Sequence, residues 1–373
     1  MGSVSTTILF LENLLLKALG HLLFSNRHFR AARCVCVFRP GGIGDTICAV
    51  PALKAIRENF PDAKLILLTR KVDGSSVGAE DILGEEPWID EIWNSDTEPN
   101  SRAGLRTRLR NAGIDTWVEL PVDQAGFGME LRHMLFVRLA GIHTAVGFRA
   151  DITCFMRRSL AGDQKEEHET DKLLNILRDY SFRIPGVDFS ISVSRDDTGV
   201  VKEILEKKFA RGSSIIAVNP GAKRPANRWP AERFREVALE LIRHLGCRIA
   251  VLGGPDDRKA GALIAGADPE RIVNLAGQLT VKQTLEFCRK CRMLVTNDTG
   301  IAHLAAAAGT RVVGIYNAWQ RKGRWYPYGK GHSVLRADIP CEYCFKYECD
   351  DPRCISSISV QDVRERILHC IEI

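Results

Sequence analysis

The stretch that decides the fold is residues 34–45, CVCVFRPGGIGD. The five apolar residues from Cys34 to Phe38 predict a strand that is buried on both faces of a parallel sheet. A glycine-rich turn and Asp45 follow, and the next residues have the pattern of a helix that runs to about Asn59. A strand, a tight turn and a helix in this order predict the start of a doubly wound α/β sheet.

On the C-terminal side of this unit, apolar runs and helical patterns keep alternating, with a break after Pro185-Gly186. The remaining strands are predicted at 63–69, 89–93, 116–120, 214–219, 248–252, 272–275, 293–296 and 311–316, and the last of these is expected to end the sheet. We predict an α/β protein with two Rossmann-like domains that face a cleft. The predicted regions are an N-terminal helix (1–32), two domains (33–190 and 191–340) and a cysteine-rich segment with a final helix (341–373).

The composition excludes several classes of protein. Of the 373 residues 45% are hydrophobic, which is too many for a disordered chain and suits about two domains. The net charge of +6 is smaller and less clustered than a basic nucleic-acid-binding surface requires, so we expect no nucleic-acid partner. The start MGSVSTT lacks the positive region of a secretory signal, and many of the 12 cysteines have apolar neighbours, so we expect a reduced, cytoplasmic protein.

Residues 8–24, ILFLENLLLKALGHLLF, predict an amphipathic helix with a wide apolar face. Glu12, Lys17 and His21 interrupt this short stretch, which makes it a poor membrane-spanning segment. With Arg27, Arg30 and Arg33, residues 1–33 contain four Lys or Arg and one Glu, a net charge of +3. This pattern favours a helix lying on the cytoplasmic face of the inner membrane. Packing on its own domain or in an oligomer interface is the alternative.

The turn at residues 40–45 does not match the dinucleotide-binding fingerprint. The third glycine would fall at Ile47, and the second predicted strand ends in basic residues instead of an acid. We therefore do not expect a nicotinamide-dependent dehydrogenase. Asp45 lies at the carboxyl end of the first strand, where open α/β sheets bind their ligands. Its alternative role is that of an ordinary helix cap.

The strongest pattern in the second half is TNDTGIAH, residues 296–303. A predicted strand ends there in polar residues and a helix of small residues begins, so free backbone N–H groups and the helix dipole favour phosphate binding. Gly300 allows a phosphate to approach the backbone closely. His303 lies one turn into the helix, and beside this turn we favour ligand contact over a structural role.

Two further loops follow predicted strands. The loop at 220–229 contains Gly221, Lys223, Arg224 and Arg228, whose three positive charges suit a diphosphate, although a solvated surface loop would show the same pattern. The loop GGPDD at 253–257 offers Asp257 to the hydroxyls of a ribose, or as a helix cap.

Four cysteines crowd into residues 341–354: Cys341, Cys344, Cys349 and Cys354. Four thiolates can close a tetrahedral site for a structural zinc or iron ion. The alternative is that the thiols are free or partly paired. A second pair, Cys288 and Cys291, ends a helical pattern and is predicted to be buried packing.

Several longer motifs stand in the order of a known family. They are RPGGIGDTICAVPALKAIRENFPDAKLILLT from residue 39, NPGAKRPANRWPAERF from 219, VLGGPDD from 251, VTNDTGIAHLAAAAGTRVVGIY from 295, PYG at 327–329 and PCEYCFKYEC from 340. On these motifs the chain resembles glycosyltransferase family 9, the ADP-heptose:lipopolysaccharide heptosyltransferases. The resemblance implies a GT-B fold, with the acceptor on the N-terminal domain beside Gly42 and Gly44 and the nucleotide sugar on the C-terminal domain. It also implies that the last helix crosses back to the first domain.

The resemblance assigns roles to single residues. It matches Asp45 to the catalytic base, Thr299, Gly300 and His303 to donor-phosphate contacts, Asp298 to a contact with the transferred sugar, and Asp257 to a nucleotide contact. The family usually has a lysine where this chain has Asn227. We expect Lys223 or Arg228 to supply the missing charge.

The implied reaction is inverting transfer of a heptose from ADP-heptose to a lipopolysaccharide-core or related glycolipid acceptor, without a catalytic metal or cofactor. The basic loop and the helix start would neutralise the leaving diphosphate, and Asp45 would take the proton of the attacking hydroxyl. Two alternatives stay open. One is the same fold with another nucleotide sugar or a protein acceptor, and the other is a non-catalytic, membrane-associated protein that binds nucleotide sugars.

Overall fold

The computed structural model describes residues 2–25, 29, 31–70, 77–96, 101–122, 125–151, 166–344 and 346–372, without the side chains of 2–6 and 372. The chain divides into two compact α/β units, Met1–Phe189 and Ser190–Ile373. This division lies one residue from the predicted boundary.

The first unit is built on a parallel five-stranded sheet. Its strands are β1 (Cys34–Phe38), β2 (Lys64–Thr69), β3 (Glu91–Asn94), β4 (Thr116–Glu119) and β5 (Thr144–Val146). Its helices are α1 (Gly2–Leu23), α2 (Ile43–Asn59), α3 (Ala79–Leu83), α4 (Arg102–Asn111), α5 (Phe127–Leu139) and α6 (Glu169–Asp179). The strand order is β3-β2-β1-β4-β5. Strands β2 and β3 are added on one side of β1 and strands β4 and β5 on the other, so the strand order reverses between β1 and β4. In open α/β sheets, ligands bind at the carboxyl ends of the strands at such a point.

The second unit repeats this architecture with a parallel six-stranded sheet of order β11-β10-β9-β6-β7-β8. Its strands are β6 (Ile215–Asn219), β7 (Arg248–Val251), β8 (Ile272–Asn274), β9 (Met293–Asn297), β10 (Arg311–Tyr316) and β11 (Ser333–Arg336). Its helices are α7 (Arg195–Lys208), α8 (Ala231–Leu245), α9 (Arg258–Ala265), α10 (Val281–Arg289), α11 (Gly300–Ala307), α12 (Arg353–Ser356) and α13 (Val360–Glu372).

The structure corrects two expectations for the C-terminal part. The strand at 311–316 is not the last, because β11 pairs with β10 in parallel; its four residues are only half-buried and give a weak strand pattern. The last helix, α13, was expected to cross back to the first domain. It contacts α8, β10 and β11 instead and belongs to the second unit. The physical reason is its apolar side, Val363 and Ile367, which is buried in the same core as Trp229 and Phe234.

The N-terminal helix packs on its own unit. Helix α1 contacts α5 and buries Leu16, and the Asn13 side-chain amide exchanges two hydrogen bonds with the backbone of Ala150. The opposite side of α1 is apolar but exposed, for example at Phe10 and Leu22. Arg27 and Arg30, which the charge argument used, lie outside the described residues.

Among the described helices, we find none that combines the length and the apolar character needed to cross a bilayer.

Candidate active site

The glycine turn after β1 fixes the position of Asp45. Gly41 has a φ of +146°, and a Cβ atom there would lie 2.3 Å from the Cβ of Asp45, so this position requires glycine. Gly42 is the N-cap of α2 and donates its backbone N–H to Asp45 Oδ2 at 2.9 Å. Gly44 lies in the first turn of the helix. Asp45 is thus the third residue of α2 and caps the helix from inside it, instead of being its N-cap.

Asp45 is connected through Arg39 to a network of buried charged side chains. The Arg39 guanidinium is almost fully buried, and its Nη2 atom lies 3.5 Å from Asp45 Oδ1 and 3.1 Å from Glu169 Oε1. Its Nη1 atom donates to the carbonyl of Pro121 at 2.9 Å. The Asp45 side chain keeps 27% of its surface exposed, so a carboxylate held by one N–H donor and one ion pair still faces solvent.

The network continues to the start of α6. Lys172 Nζ lies 3.5 Å from Glu169 Oε2 and 2.5 Å from Asp151 Oδ2. Sequence reasoning missed Arg39 and Glu169. Arg39 carried a signal, since it directly precedes the glycine turn, but Glu169 lies 130 residues further along the chain and no local pattern connects the two.

In the second unit, three asparagines stand at the carboxyl ends of neighbouring strands and tie the loops together. Asn219 ends β6 and donates its side-chain amide to Thr299 Oγ1 at 3.2 Å. Asn297 ends β9 and donates to the carbonyl of Pro220 at 2.8 Å. Asn317 follows β10 and donates to the side-chain oxygen of Asn227 at 2.7 Å. These bonds bring the loop at 220–229 and the start of α11 to one edge of the sheet.

The start of α11 has the form expected of a phosphate site. Thr299 is the N-cap, and its hydroxyl accepts the backbone N–H of Ile301 at 3.3 Å. Gly300 is the first helical residue. His303 is buried, with its ring edge-on to Trp325 at a centroid distance of 6.0 Å. The predicted group 298–303 is therefore brought together, with His303 packed against an aromatic ring.

Asp298 lies among neutral donors. Asn227 Nδ2 is 3.3 Å and Trp319 Nε1 is 3.4 Å from its Oδ2 atom. Burial raises the pKa of Asp298 to about 6, against the opposing effects of the Trp319 hydrogen bond and the positive charge of Arg224. The Arg224 guanidinium stacks on the Trp319 ring at 3.4 Å. Sequence reasoning missed Trp319, which comes from the loop after β10.

Asp257 packs against the loop at 220–229. A Cβ atom at Gly221 would lie 2.3 Å from Asp257 Oδ1, and the backbone N–H of Gly254 donates to Oδ2 at 2.9 Å. Burial raises the pKa of Asp257, although this N–H group and the charge of Arg228 act in the opposite direction. Arg228 and Lys223 are exposed. Gly221, Asp257 and Arg228 thus lie near one another, although they come from separate loops.

The cysteine-rich segment lies beside the same loop, since the Tyr347 hydroxyl donates to the carbonyl of Lys223 at 3.3 Å. Cys341, Cys344, Cys349 and Cys354 are free thiols. Burial raises the pKa of Cys354, and the charges of Cys341, Cys344 and Cys349 raise it further, while a backbone hydrogen bond with Ala318 acts in the opposite direction. In the described part of the chain, some groups of three His, Cys, Asp or Glu residues have possible metal-ligand atoms within 4.8 Å of one another. These four cysteines are not among those groups. Cys288 and Cys291 are buried, as predicted.

The family assignment rests on a match to the family model "Glycosyltransferase family 9 (heptosyltransferase)". This model matches residues 130–354, which is three fifths of the chain. The chain belongs to glycosyltransferase family 9. The matched range contains the loop at 220–229, the start of α11 and the cysteine-rich segment.

Curated relatives agree with this assignment. The lipooligosaccharide heptosyltransferase 2 of Haemophilus influenzae is 36% identical over 121 residues, which cover 30% of this chain and 35% of that protein. The chain thus matches about a third of this relative's length. The lipooligosaccharide heptosyltransferase 2 of Campylobacter jejuni is 23% identical over 347 residues, which cover 89% of this chain and 96% of that protein.

Solved structures confirm the GT-B fold. Escherichia coli ADP-heptose lps heptosyltransferase II superposes with a TM-score of 0.66 at 21% identity, over 91% of this chain and 98% of that one. The iron-containing dodecameric glycosyltransferase TibC from enterotoxigenic E. coli superposes with a TM-score of 0.54 at 14% identity, over 91% and 76% of the two chains.

Proposed function

We propose that this glycosyltransferase family 9 enzyme transfers a heptose from ADP-heptose to a lipopolysaccharide-core acceptor with inversion, and that Asp45 is its general base. Family membership and the names of its relatives support the substrate class. The observation that carries the proposal is the Asp45 carboxylate, which Arg39 and the N–H of Gly42 hold in place while it stays accessible.

The chemistry follows from where charge develops. As the anomeric carbon leaves its diphosphate, positive charge grows on the sugar and negative charge on the phosphate. The N–H groups at the start of α11 and the cations Lys223 and Arg228 would stabilise the phosphate. Asp45 would accept the proton of the attacking acceptor hydroxyl. One displacement inverts the anomeric centre, and no covalent intermediate with the enzyme is needed.

The direct test is Asp45→Asn, which keeps the shape of the side chain and removes the base. Transfer measured by mass spectrometry is expected to fall by roughly 10²–10⁴-fold, while affinity for ADP stays unchanged. Asp81→Asn is the matched control, because Asp81 is also the third residue of a helix and accepts the N–H of a glycine N-cap, Gly78. Full turnover by Asp45→Asn would remove Asp45 from this role.

The donor is proposed from the printed names of the relatives and tested by ligand-induced stabilisation. ADP is expected to raise the melting temperature more than UDP at equal concentration. Arg228→Gln is expected to reduce the ADP effect, and Arg243→Gln, in the last turn of α8, is the control. Equal shifts with ADP and UDP would favour another nucleotide sugar.

We also propose that the exposed side of α1 holds the enzyme on the cytoplasmic face of the inner membrane. This side, called the outer face of α1, comprises Ile8, Phe10, Leu11, Leu14, Leu15 and Leu22. Lys17, also on α1, is exposed and supplies a positive charge that suits anionic lipid. The opposite face of the helix is already occupied by the core.

Co-sedimentation with vesicles of phosphatidylethanolamine and phosphatidylglycerol tests this attachment. Phe10→Ser with Leu14→Ser is expected to abolish most binding, because both side chains would otherwise enter the bilayer. Leu263→Ser, an exposed leucine on α9 of the second unit, is the control. Unchanged vesicle binding with a loss of oligomers would assign the outer face of α1 to a second copy of the chain.

The cysteine-rich segment is proposed to bind one structural zinc or iron ion. Four free thiols within 14 residues of the chain suit such an ion, because zinc and iron bind four thiolates in a tetrahedral site. Elemental analysis is expected to find one zinc or iron ion per chain fewer in Cys354→Ser than in the wild-type protein. Cys247→Ser, at a buried thiol elsewhere in the unit, should keep the ion. Wild-type protein without any ion would refute the site.

A further inference from the structure

A second cluster of ionisable side chains lies in the first unit and takes no part in the proposed reaction. Glu119 is the last residue of β4, and Glu130 and His133 lie on α5. Because Glu130 and His133 are three residues apart, they share one face of the helix. One donor atom from each of the three side chains lies within 4.8 Å of the other two.

Each carboxylate in this cluster accepts one hydrogen bond from a group outside the cluster. The indole N–H of Trp117 donates to Glu119 Oε2 at 2.7 Å, and the backbone N–H of Arg149 donates to Glu130 Oε2 at 3.2 Å. Glu119 Oε1 lies 2.8 Å from His133 Nδ1. Outer hydrogen bonds of this kind orient the ligands of metal ions.

The remaining oxygen, Glu130 Oε1, is buried and has no hydrogen-bond partner in the described part of the chain. Glu130 is fully buried, and its burial, followed by the nearby charge of Glu119, holds its pKa well above the usual range. A buried carboxylate oxygen without a partner is costly, and either a proton or a cation must balance it. The His133 side chain is 31% exposed, which leaves a path from solvent to the cluster.

We propose that Glu119, Glu130 and His133 bind one divalent cation of the Mn²⁺, Fe²⁺ or Zn²⁺ class. Two carboxylates and one imidazole are a ligand set that such borderline cations accept. The ion joins the end of β4 to α5 and stabilises the first unit, and the transfer reaction does not depend on it. The inference stands on this geometry and is independent of the proposed function.

The test uses the full chain after treatment with EDTA and Mn²⁺ as the probe, followed by electron paramagnetic resonance. Mn²⁺ is chosen because the thiolates of the cysteine-rich segment favour softer ions. Wild-type protein is expected to bind one Mn²⁺ per chain, and Glu130→Gln is expected to weaken binding by at least about tenfold. Glu86→Gln is the matched control, because Glu86 is also a buried glutamate and accepts the indole N–H of Trp88. It should bind Mn²⁺ as the wild-type protein does.

Thermal unfolding separates loss of the site from loss of the fold. Without metal, Glu130→Gln should melt at the wild-type temperature or above it, because a neutral amide replaces a buried carboxyl beside another acid. Excess Mn²⁺ should raise the melting temperature of wild type and Glu86→Gln, and leave Glu130→Gln unchanged. His133→Gln, at the partly exposed ligand, should lose the same Mn²⁺ signal. Equal Mn²⁺ binding by wild type and Glu130→Gln, or none by either, would refute the site.

Discussion

Asp45 and Asp298 occupy similar places in the two units, yet their surroundings differ. Each follows a buried strand, β1 or β9, near the start of the next helix. Asp45 accepts a backbone N–H and pairs with the cation Arg39. Asp298 has the neutral donors Trp319 and Asn227, and burial raises its pKa to about 6. The fold thus supplies the position of a carboxylate, and the neighbours decide its charge.

The largest effect should come from the buried cation beside Asp45. Arg39→Gln removes the closer of two cations that contact the fully buried side chain of Glu169 and leaves Lys172 at 3.5 Å. The free energy of unfolding of the first unit should fall by about 3–5 kcal/mol. Chemical denaturation measures this loss.

The control restores neutrality in the same background. Glu169→Gln combined with Arg39→Gln should recover part of the stability, because the buried negative charge that lost Arg39 is then removed as well. A double variant as unstable as the single one would assign the loss to packing of the Arg39 stem.

A somewhat smaller effect is expected from Asp298, and it depends on pH. Its folded-state pKa of about 6 lies above the ordinary 3.8, so the folded protein binds this proton more tightly than the unfolded chain does. Between about pH 4 and pH 6, rising pH should therefore lower the stability of wild type relative to Asp298→Asn by up to roughly 3 kcal/mol. Above pH 6 the difference should stay constant.

Denaturation of both proteins across this pH range gives the difference. Asp256→Asn, at an exposed carboxylate of the same unit, controls for the loss of a surface charge. Parallel curves for wild type and Asp298→Asn would contradict the raised pKa.

The smallest effect is expected when Asp298 is given a positively charged neighbour, as Asp45 has in Arg39. Asn227→Lys brings an ammonium group to a position from which the amide now contacts Asp298 at 3.3 Å, and it should lower the pKa of Asp298 by at least about one unit. One unit corresponds to about 1.4 kcal/mol. Carboxyl ¹³C resonances followed over pH measure the shift, with Asn227→Gln as the neutral control. An unchanged pKa in Asn227→Lys would mean that the loop holds the lysine away from Asp298.

Much of the site could be read from local patterns. The turn at 40–45 predicted the position of Asp45, and the polar end of β9 predicted the position of residues 298–303. Both predictions depend on parallel strands having their carboxyl ends at one edge of the sheet. Patterns on the surface loops named Gly221, Arg228 and Asp257 separately, and the structure brings Gly221 and Asp257 into contact. The environment of Asp298 was not predictable, because Trp319 reaches it from a different loop.

For the N-terminal helix, the sequence predicted an apolar face but not which part of that face is packed. Its periodicity predicted a wide apolar face, and the structure divides that face into a packed side at Leu16 and an exposed side at Phe10. Composition alone could not divide it, because the side that α5 covers is fixed by how the helix docks.

The sequence by itself determined the two α/β units, the turn that carries Asp45 and the loops that carry the charged residues. These follow from short-range periodicity and from the backbone needs of glycine, which neighbouring residues decide. Only the tertiary structure decided the partners: Glu169 beside Arg39, Trp319 beside Asp298, and Glu119 beside Glu130 and His133. Such contacts join residues far apart in the chain, and burial then sets their ionisation, so no local pattern contains them.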